Sequence, residues 1–483
     1  MFETIDDAGL IAAIADSVRA EAAEAARRSA LIGELVARRV VDHDDDPRVK
    51  WAFDPWASVA AEVAAAMNIS DRKASGQMRI AEILRDHLPS VFALFARGRL
   101  SGRVIAAITW RTRLIVDDEV WAQIDAALAE RAQRFGPLSD EKLTVAVDDL
   151  VQRFDRGALI DAQKRARTRD FKVGDFSDEA GLTSVWGKLL AHDAEVLDKR
   201  VSAMVAGVCD ADPRSQEERR SDAVGAIANG NEHLPCACGS PTCPANMQNP
   251  TPKSSVVVSV VADQAAIDAA KTATKTPATA PSDRGTAILS GTEMLPTPVL
   301  AELLRSGARL QPLIPPREEP EAGYRPSAKL ARFVRARDLT CRFPGCSVPS
   351  EFCDIDHVVP YPIGPTHPSN LACLCRKHHL LKTFWTGDWA LALLADGTAI
   401  WTSPTGHKYT TQPGCRIFFP DWDTTTAELP PPPSSPSEGT DRGVKMPLRK
   451  RSRAKERQQR VRHERAQNAN SELVQNDSDP PPF

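Results

Sequence analysis

No stretch of this 483-residue chain approaches the roughly 18 uninterrupted apolar residues that a membrane-crossing helix needs. The longest candidate, around Val256 to Val261, is far too short. The opening residues, Met-Phe-Glu-Thr-Ile-Asp-Asp, are acidic where a secretory leader is basic, so a cytoplasmic protein is expected. In a reducing compartment the ten cysteines are expected to be thiols or metal ligands rather than disulfides. Net charge is also small: 61 Lys and Arg against 64 Asp and Glu give −3, which says nothing for a nucleic-acid partner. Apolar residues, by contrast, are plentiful at 42% of the chain, which excludes a wholly disordered polymer. The length leaves room for roughly three domains.

Residues 1–50 read as a helix and an acidic linker, Asp42 to Asp46 around His43. A helical domain is expected over 51–230, because Trp56, Val59, Val63 and Met67 recur at helical spacing, as do Ile80, Ile83 and Leu84, then Val104, Ile105 and Ile108. One hairpin interrupts it, with Phe171 and Val173 before a turn at Asp178 to Gly181 and an extended run from Leu182 to Trp186 after it. A helix from about Ala191 to Val205 follows. Residues 231–325 form a proline-punctuated connector with a Cys-rich loop, a strand at Ser255 to Ala262 and a short helix at about Val299 to Arg305. A second compact unit, 326–410, opens on a basic amphipathic helix from Ser327 to Arg337. Beyond it, 411–483 holds the run Pro430 to Pro433 and then a basic arm, expected to be disordered.

Chemistry concentrates between Cys341 and Trp385. Cys341-Arg-Phe-Pro-Gly-Cys346 offers two thiols across a tight turn, and Cys375-Arg-Lys-His378 offers a thiol and an imidazole one helical turn apart. Two close pairs of N and S donors are what a tetrahedral structural zinc requires. Between them lie Asp356-His357 and Asn370-Leu371, and after them His379-Leu-Leu-Lys382.

Taken in this order, these elements resemble the HNH endonucleases, over Cys341 to about Trp389. The resemblance implies a ββα-metal fold, two short strands and a helix gripping one divalent ion. It implies that His357 is the general base, since an imidazole can take and return a proton near neutrality. Asp356 and His379 would face a catalytic Mg2+ or Mn2+ ion, and Asn370 would orient His357 or reach the ion. Lys382 would meet a phosphate. The expected fold is thus a mainly α amino-terminal domain, a small α+β zinc-stabilised HNH domain and a disordered tail. The whole chain is similar to an actinobacterial group of HNH-signature proteins with a helical amino-terminal domain of unknown function, including a mycobacterial repeat family.

Other signals leave alternatives open. His233, Cys236, Cys238 and Cys243 can close a second zinc site or be loosely packed thiols. Ala60 to Gln77 reads as a helix-turn-helix or as two packed core helices. From Arg325 to Lys382 nine Lys/Arg face four acids, and Lys329, Arg332 and Arg335 lie close together, facing either phosphates or solvent. The arm from Lys445 to Arg465 carries ten Lys/Arg against Glu456 and Glu464, which suits nucleic acid or simple solubility. The reading is a metal-dependent endonuclease of double-stranded DNA without a membrane partner. Its alternatives are a non-catalytic zinc-stabilised DNA-binding protein and a helical scaffold for a protein partner.

Overall fold

The structure is a computed structural model that describes residues 5–40, 46–159, 170–174, 178, 182–189, 191–243, 259–273, 285–289, 293–305, 307–385, 388–429 and 445–478. His43 and most of its acidic run, the first half of the strand expected at Ser255, and the run from Pro430 lie outside them. The chain divides into two units, one built chiefly from Met1–Asp161 and Gly307–Phe483, the other from Ala162–Leu289 and Glu293–Ser306. Among the described residues no helix is long and apolar enough to cross a membrane.

In the first unit, helices α1 (Asp7–Arg39), α2 (Pro55–Met67), α3 (Asp71–Asp86), α4 (Pro89–Ala96), α5 (Gly102–Arg111), α6 (Asp118–Arg131) and α7 (Asp140–Phe154) form a block. Its main core joins Leu84, Leu88, Phe95, Ile105, Ile108, Ile124, Leu128 and Val147. Side-chain caps set the helix starts: the Asp54 carboxylate accepts from the Ala57 N–H at 2.9 Å, and Ser70 caps α3. Helix α2 is mostly apolar and buried from Trp56 to Ala65, with Ser58 and the Arg39-paired Glu62 as the polar positions in that stretch. Trp56, Val59, Ala60 and Val63 face α1 and α3. Phe53, Ala57, Ala61 and Ala65, four apart, form a stripe of mostly small side chains against the Cys-rich part of the unit.

That part begins with α12 (Ala328–Asp338), whose carboxyl end carries a buried ionic network. Asp338 accepts from Arg337 at 2.8 Å, Arg342 at 3.2 Å and the Cys373 N–H at 2.8 Å, while Arg337 donates to the carbonyls of Pro368 and Leu371. Burial alone would raise the Asp338 pKa, but the two guanidiniums outweigh it and hold the carboxyl below its usual range. The network fixes strand β7 (Leu371–Cys375), which pairs antiparallel with β6 (Cys353–His357) and leads directly into α13 (Arg376–Phe384). A three-stranded antiparallel sheet, β10-β9-β8 (Lys408–Thr411, Ala399–Thr402, Ala390–Leu393), places Trp401 edge-on to Phe343 at 5.1 Å, and the short helix α14 (Cys415–Phe418) follows it. Thus the region expected as an independent domain at 326–410 shares one core with α2.

One expectation differs from the structure. The carboxyl-terminal arm is not disordered over its described residues: α15 (Arg453–Ser478) lies along the helical block. Arg453 grips Asp54 through two bonds of 2.8 and 3.0 Å, Arg457 reaches Glu82 at 2.8 Å, and Arg465 reaches Asp155 at 2.6 Å. Asn468 donates to the carbonyls of Gly157 and Leu159, both at 2.8 Å. Arg453, Arg457 and Arg465 of the basic arm are thus paired with carboxylates of the helical block. Of the two readings of Ala60 to Gln77, the structure has two packed core helices. The carbonyl of Ile69 lies against Gly345 and the side chain of Asp71 is occupied within the fold, so the end of α3 that would meet bases faces protein.

The second unit holds the hairpin β1 (Asp170–Val173) and β2 (Val185–Lys188), the helices α8 (Ala191–Ala206) and α9 (Gln216–Ala228), and the sheet β3-β4-β5 (Val260–Ala262, Ala287–Leu289, Glu293–Met294) with α10 (Gln264–Ala273) and α11 (Thr297–Arg305). The helical segment expected to end near residue 230 is therefore divided between two units.

Asp54 is almost fully buried and depends on Arg453. Replacing Arg453 with Ala is expected to cost about 1–3 kcal/mol, the scale of a buried charged group left under-paired. Urea unfolding followed by circular dichroism checks this; an unchanged midpoint would mean that α15 is not anchored there.

Candidate functional site

The knuckle Cys341 to Cys346 is closed by backbone bonds from Cys341 N–H to Val348 (2.8 Å) and from Cys346 N–H to Phe343 (3.1 Å). Gly345 has a φ of +71°, and a Cβ there would stand 2.6 Å from the Ile69 carbonyl, so both its conformation and its surroundings require glycine. Across from the knuckle, β7 ends at Cys375, and His378 follows one turn into α13. The four donor atoms of Cys341, Cys346, Cys375 and His378 lie within 4.8 Å of one another. The His378 Nδ1 stands 3.4 Å from the Cys341 sulfur and 3.3 Å from that of Cys375. Phe343 stacks on the imidazole at 3.9 Å.

The other ring nitrogen answers a question that the local sequence leaves open. His378 Nε2 lies 2.9 Å from a carboxylate oxygen of Asp71, the first residue of α3, and Lys377 reaches the same oxygen at 2.6 Å. Because the carboxylate accepts, Nε2 carries the proton and Nδ1 is turned to the sulfurs as a donor to metal. Bonds from Cys341 and Cys346 favour the Cys375 thiolate. Burial opposes an imidazolium at His378, but Asp71, Cys346 and Cys375 outweigh it and raise its pKa. A divalent cation would displace those protons. Three thiols and one imidazole could hold a zinc ion.

A second set, in the other unit, differs from expectation in one member. Cys209, Cys236, Cys238 and Cys243 lie within 4.8 Å of one another, and His233 is not among them. Cys209 follows α8 and approaches Cys236 to 3.4 Å. The tight Cys-x-Cys is held by Asp212, whose buried carboxylate accepts from the Ala237 N–H at 2.9 Å and from Arg214. A fourth thiol supplied from 27 residues upstream leaves His233 without a place in the set. Four thiols could likewise hold zinc.

Beside the first set, strand alternation brings Asp354 and Asp356 to one face of β6, opposite His379 of α13. His379 Nδ1 bonds Asp354 at 2.7 Å, and its Nε2 stands 3.4 Å from Asp356. Lys382, expected at a phosphate, instead pairs with Asp356 at 2.7 Å and donates to the His357 carbonyl; it is nearly buried and neutralised from within. Lys329 and Arg332 are exposed on α12. Among the described residues the Asn370 amide makes no hydrogen bond to His357, Asp354 or Asp356. It ties the loop after β6, accepting from the Val359 N–H at 2.8 Å and donating to the carbonyls of Val359 and Pro365, each at 2.9 Å. Gly364 packs against that amide so closely that a Cβ would stand 2.5 Å from it.

The His357 ring is buried, with no hydrogen bond to Asp356 or His379 among the described residues. Its Nε2 lies 2.8 Å from the Thr366 hydroxyl, which donates its proton to the Gly323 carbonyl at 2.6 Å. The threonine oxygen must therefore accept from Nε2–H, which leaves the lone pair on Nδ1. Tyr324 stacks over the ring at 5.2 Å, held there by the pairing of Glu321 with Thr366. Burial lowers the His357 pKa; Asp356 pushes it up and Lys382 down. The local sequence flagged neither Thr366 nor Tyr324. The Asp-Ile-Asp spacing could have exposed Asp354.

The purified chain is expected to bind two zinc ions, read by elemental analysis. Cys209→Ser should reduce this to one, and His233→Ala should leave two. Asp71→Asn should weaken the first site by about 10–100-fold in a chelator competition, the usual effect of losing a carboxylate behind a ligand histidine. Unchanged competition would remove Asp71 from the metal's support.

The chain matches the family described as a domain of unknown function, DUF222, over residues 16–338, which takes in Asp71 and the four-thiol set and ends three residues before Cys341. It is 52% identical over 474 residues to the uncharacterized protein Rv3776 of Mycobacterium tuberculosis, covering 95% of this chain and 90% of that protein. It is 50% identical over 489 residues to the uncharacterized protein Rv2100 of the same organism, covering 96% and 88%. No solved structure matches it. With most of its length aligned to such relatives and its helical block and four-thiol set inside the family match, this chain belongs to the DUF222 family.

Proposed function

We propose that the chain is a metal-dependent HNH-type endonuclease that hydrolyses phosphodiester bonds of DNA, with a structural zinc at Cys341, Cys346, Cys375 and His378. The observation that carries this reading is the polar cluster of Asp354, Asp356, His379 and Lys382 on β6 and α13, the helix that also supplies His378 to the Cys3His set, with His357 at the end of the same strand and held in one tautomer. An antiparallel hairpin running straight into a helix is the scaffold that the HNH resemblance calls for.

Two carboxylates and an imidazole are donors suited to Mg2+ or Mn2+. Such an ion at Asp354, Asp356 and His379 would supply positive charge against the charge that develops on the phosphate. The remaining work falls to the chain's own side chains. Thr366 holds the proton on His357 Nε2, so Nδ1 is the atom that can accept a proton from water. The lowered pKa keeps that ring neutral, and thus basic, at pH 7. Lys382 ties Asp356 to the His357 carbonyl, and Asn370 ties the loop beyond, so base and carboxylates keep their spacing.

One observation favours the second reading, a DNA-binding protein without catalysis. Asp356 already meets an ammonium and an imidazole, so its charge is balanced within the protein.

Nicking of supercoiled plasmid in Mg2+ or Mn2+ separates the readings. The wild type is expected to nick, and His357→Ala to lose about 10²–10⁴-fold of the rate, the range for removal of a general base. Since the folded pKa of His357 lies below 6.5, activity should hold through neutrality and fall only as the ring is protonated in acid, below that value. Retained binding without nicking by a zinc-loaded wild type would favour the second reading, and an acid limb well above pH 6.5 would remove His357 as the base.

A further inference from the structure

Helix α15 closes over the helical block without filling the space beneath it. Two cavities of about 700 and 670 Å³ flank it, and they share Arg79, Arg113, Arg453 and Arg457. Each is large enough for a nucleotide-sized molecule. In the second cavity the lining guanidiniums are Arg79, Arg113, Arg449, Arg453, Arg457 and Arg460, while its carboxylates are Glu456 and Glu464.

The pairing of these cations is uneven. Glu82, on the rim of the first cavity, serves both Arg79 at 3.0 Å and Arg457 at 2.8 Å. Arg453 is engaged by Asp54. Arg113 lies over the Trp110 ring at 4.0 Å and meets Glu464 only at 3.3 Å, and its buried Nε–H has no hydrogen-bond partner among the described residues. Arg460 meets no carboxylate within ion-pair distance among the described residues. Arg79 lies over Trp56 at 3.8 Å, and burial together with the charges of Arg457 and Arg453 lowers its pKa to about 10 despite Glu82. Cations crowded in partly dry space are costly unless a counter-charge joins them.

We propose that this arginine-lined cavity binds a phosphate-bearing small anion, contacted by Arg113, Arg460 and Arg79. A guanidinium presents donors in a flat fork that matches phosphate oxygens, and forks arriving from α3, α15 and the end of α5 need an acceptor with oxygens on several sides. A single carboxylate offers two oxygens and one charge; a polyphosphate offers many of both. The ligand would bridge α15 to the helical block and hold the carboxyl-terminal helix in place. This site is remote in sequence from His357 and His379, and it stands whether or not the chain cuts DNA.

The test uses the full-length zinc-loaded chain with sodium tripolyphosphate, by calorimetric titration and thermal melting, against sodium sulfate at matched ionic strength. Saturable one-to-one binding with a raised melting temperature is expected, and sulfate should not reproduce it. Arg113→Gln and the exposed Arg460→Gln should each weaken binding by about ten-fold, the scale of one lost charge-assisted contact. Arg460→Gln should melt like wild type without ligand, which keeps the test independent of folding. Absence of saturable binding, or equal affinity in wild type and both variants, overturns the proposal.

Discussion

One carboxylate joins the two halves of the first unit. Asp71 begins a helix of the amino-terminal block, yet its side chain is committed to His378 and Lys377, more than three hundred residues later. Burial works against its charge, but those two partners outweigh it and hold the carboxyl below its usual range. Its second oxygen is buried with no hydrogen-bond partner among the described residues. Orientation of a metal-facing nitrogen is thereby set by a residue from the other end of the chain. The glycine turn of the knuckle closes against the same corner, at Ile69.

Rigidity around the hairpin has a comparable origin. Arg337, Asp338 and Arg342 are all buried and satisfy one another together with carbonyls and an N–H of the flanking segments. Removing any one of them leaves a charge stranded in the interior, whereas the complete set locks β7 to α12. On the opposite side, Asn370 closes the loop after β6 and Thr366 fixes the His357 ring.

How much of this could be read from the chain beforehand follows from distance along it. Cys341, Cys346, Cys375 and His378 form pairs three to five residues apart, a spacing that local turn geometry makes meaningful, and the structure places all four together. Asp71, Cys209 and Thr366 have no local signature, because each acts through a contact made only after folding. The partners of Lys382 and of the α15 arginines were hidden for a related reason. Charge on a helix face looks free until its partners are known, and here Asp356, Asp54, Glu82 and Asp155 come from remote segments. Asn370 fell to the same problem, since an amide near a histidine can serve the loop beside it. Helical periodicity located α2 and α3 well, but it could not reveal that both faces of α2 are used.

The alanine stripe on α2 bears on inheritance. Ala57, Ala61 and Ala65 admit the Cys-rich half because their side chains are small, and Leu330, Phe333 and Phe343 are shaped to the shallow channel they leave. The family boundary at residue 338 therefore runs through a continuous interior. Any relative that exchanged its carboxyl-terminal portion for another must have resculpted that channel, so substitutions at these three alanines should travel through the lineage with whatever segment lies against them.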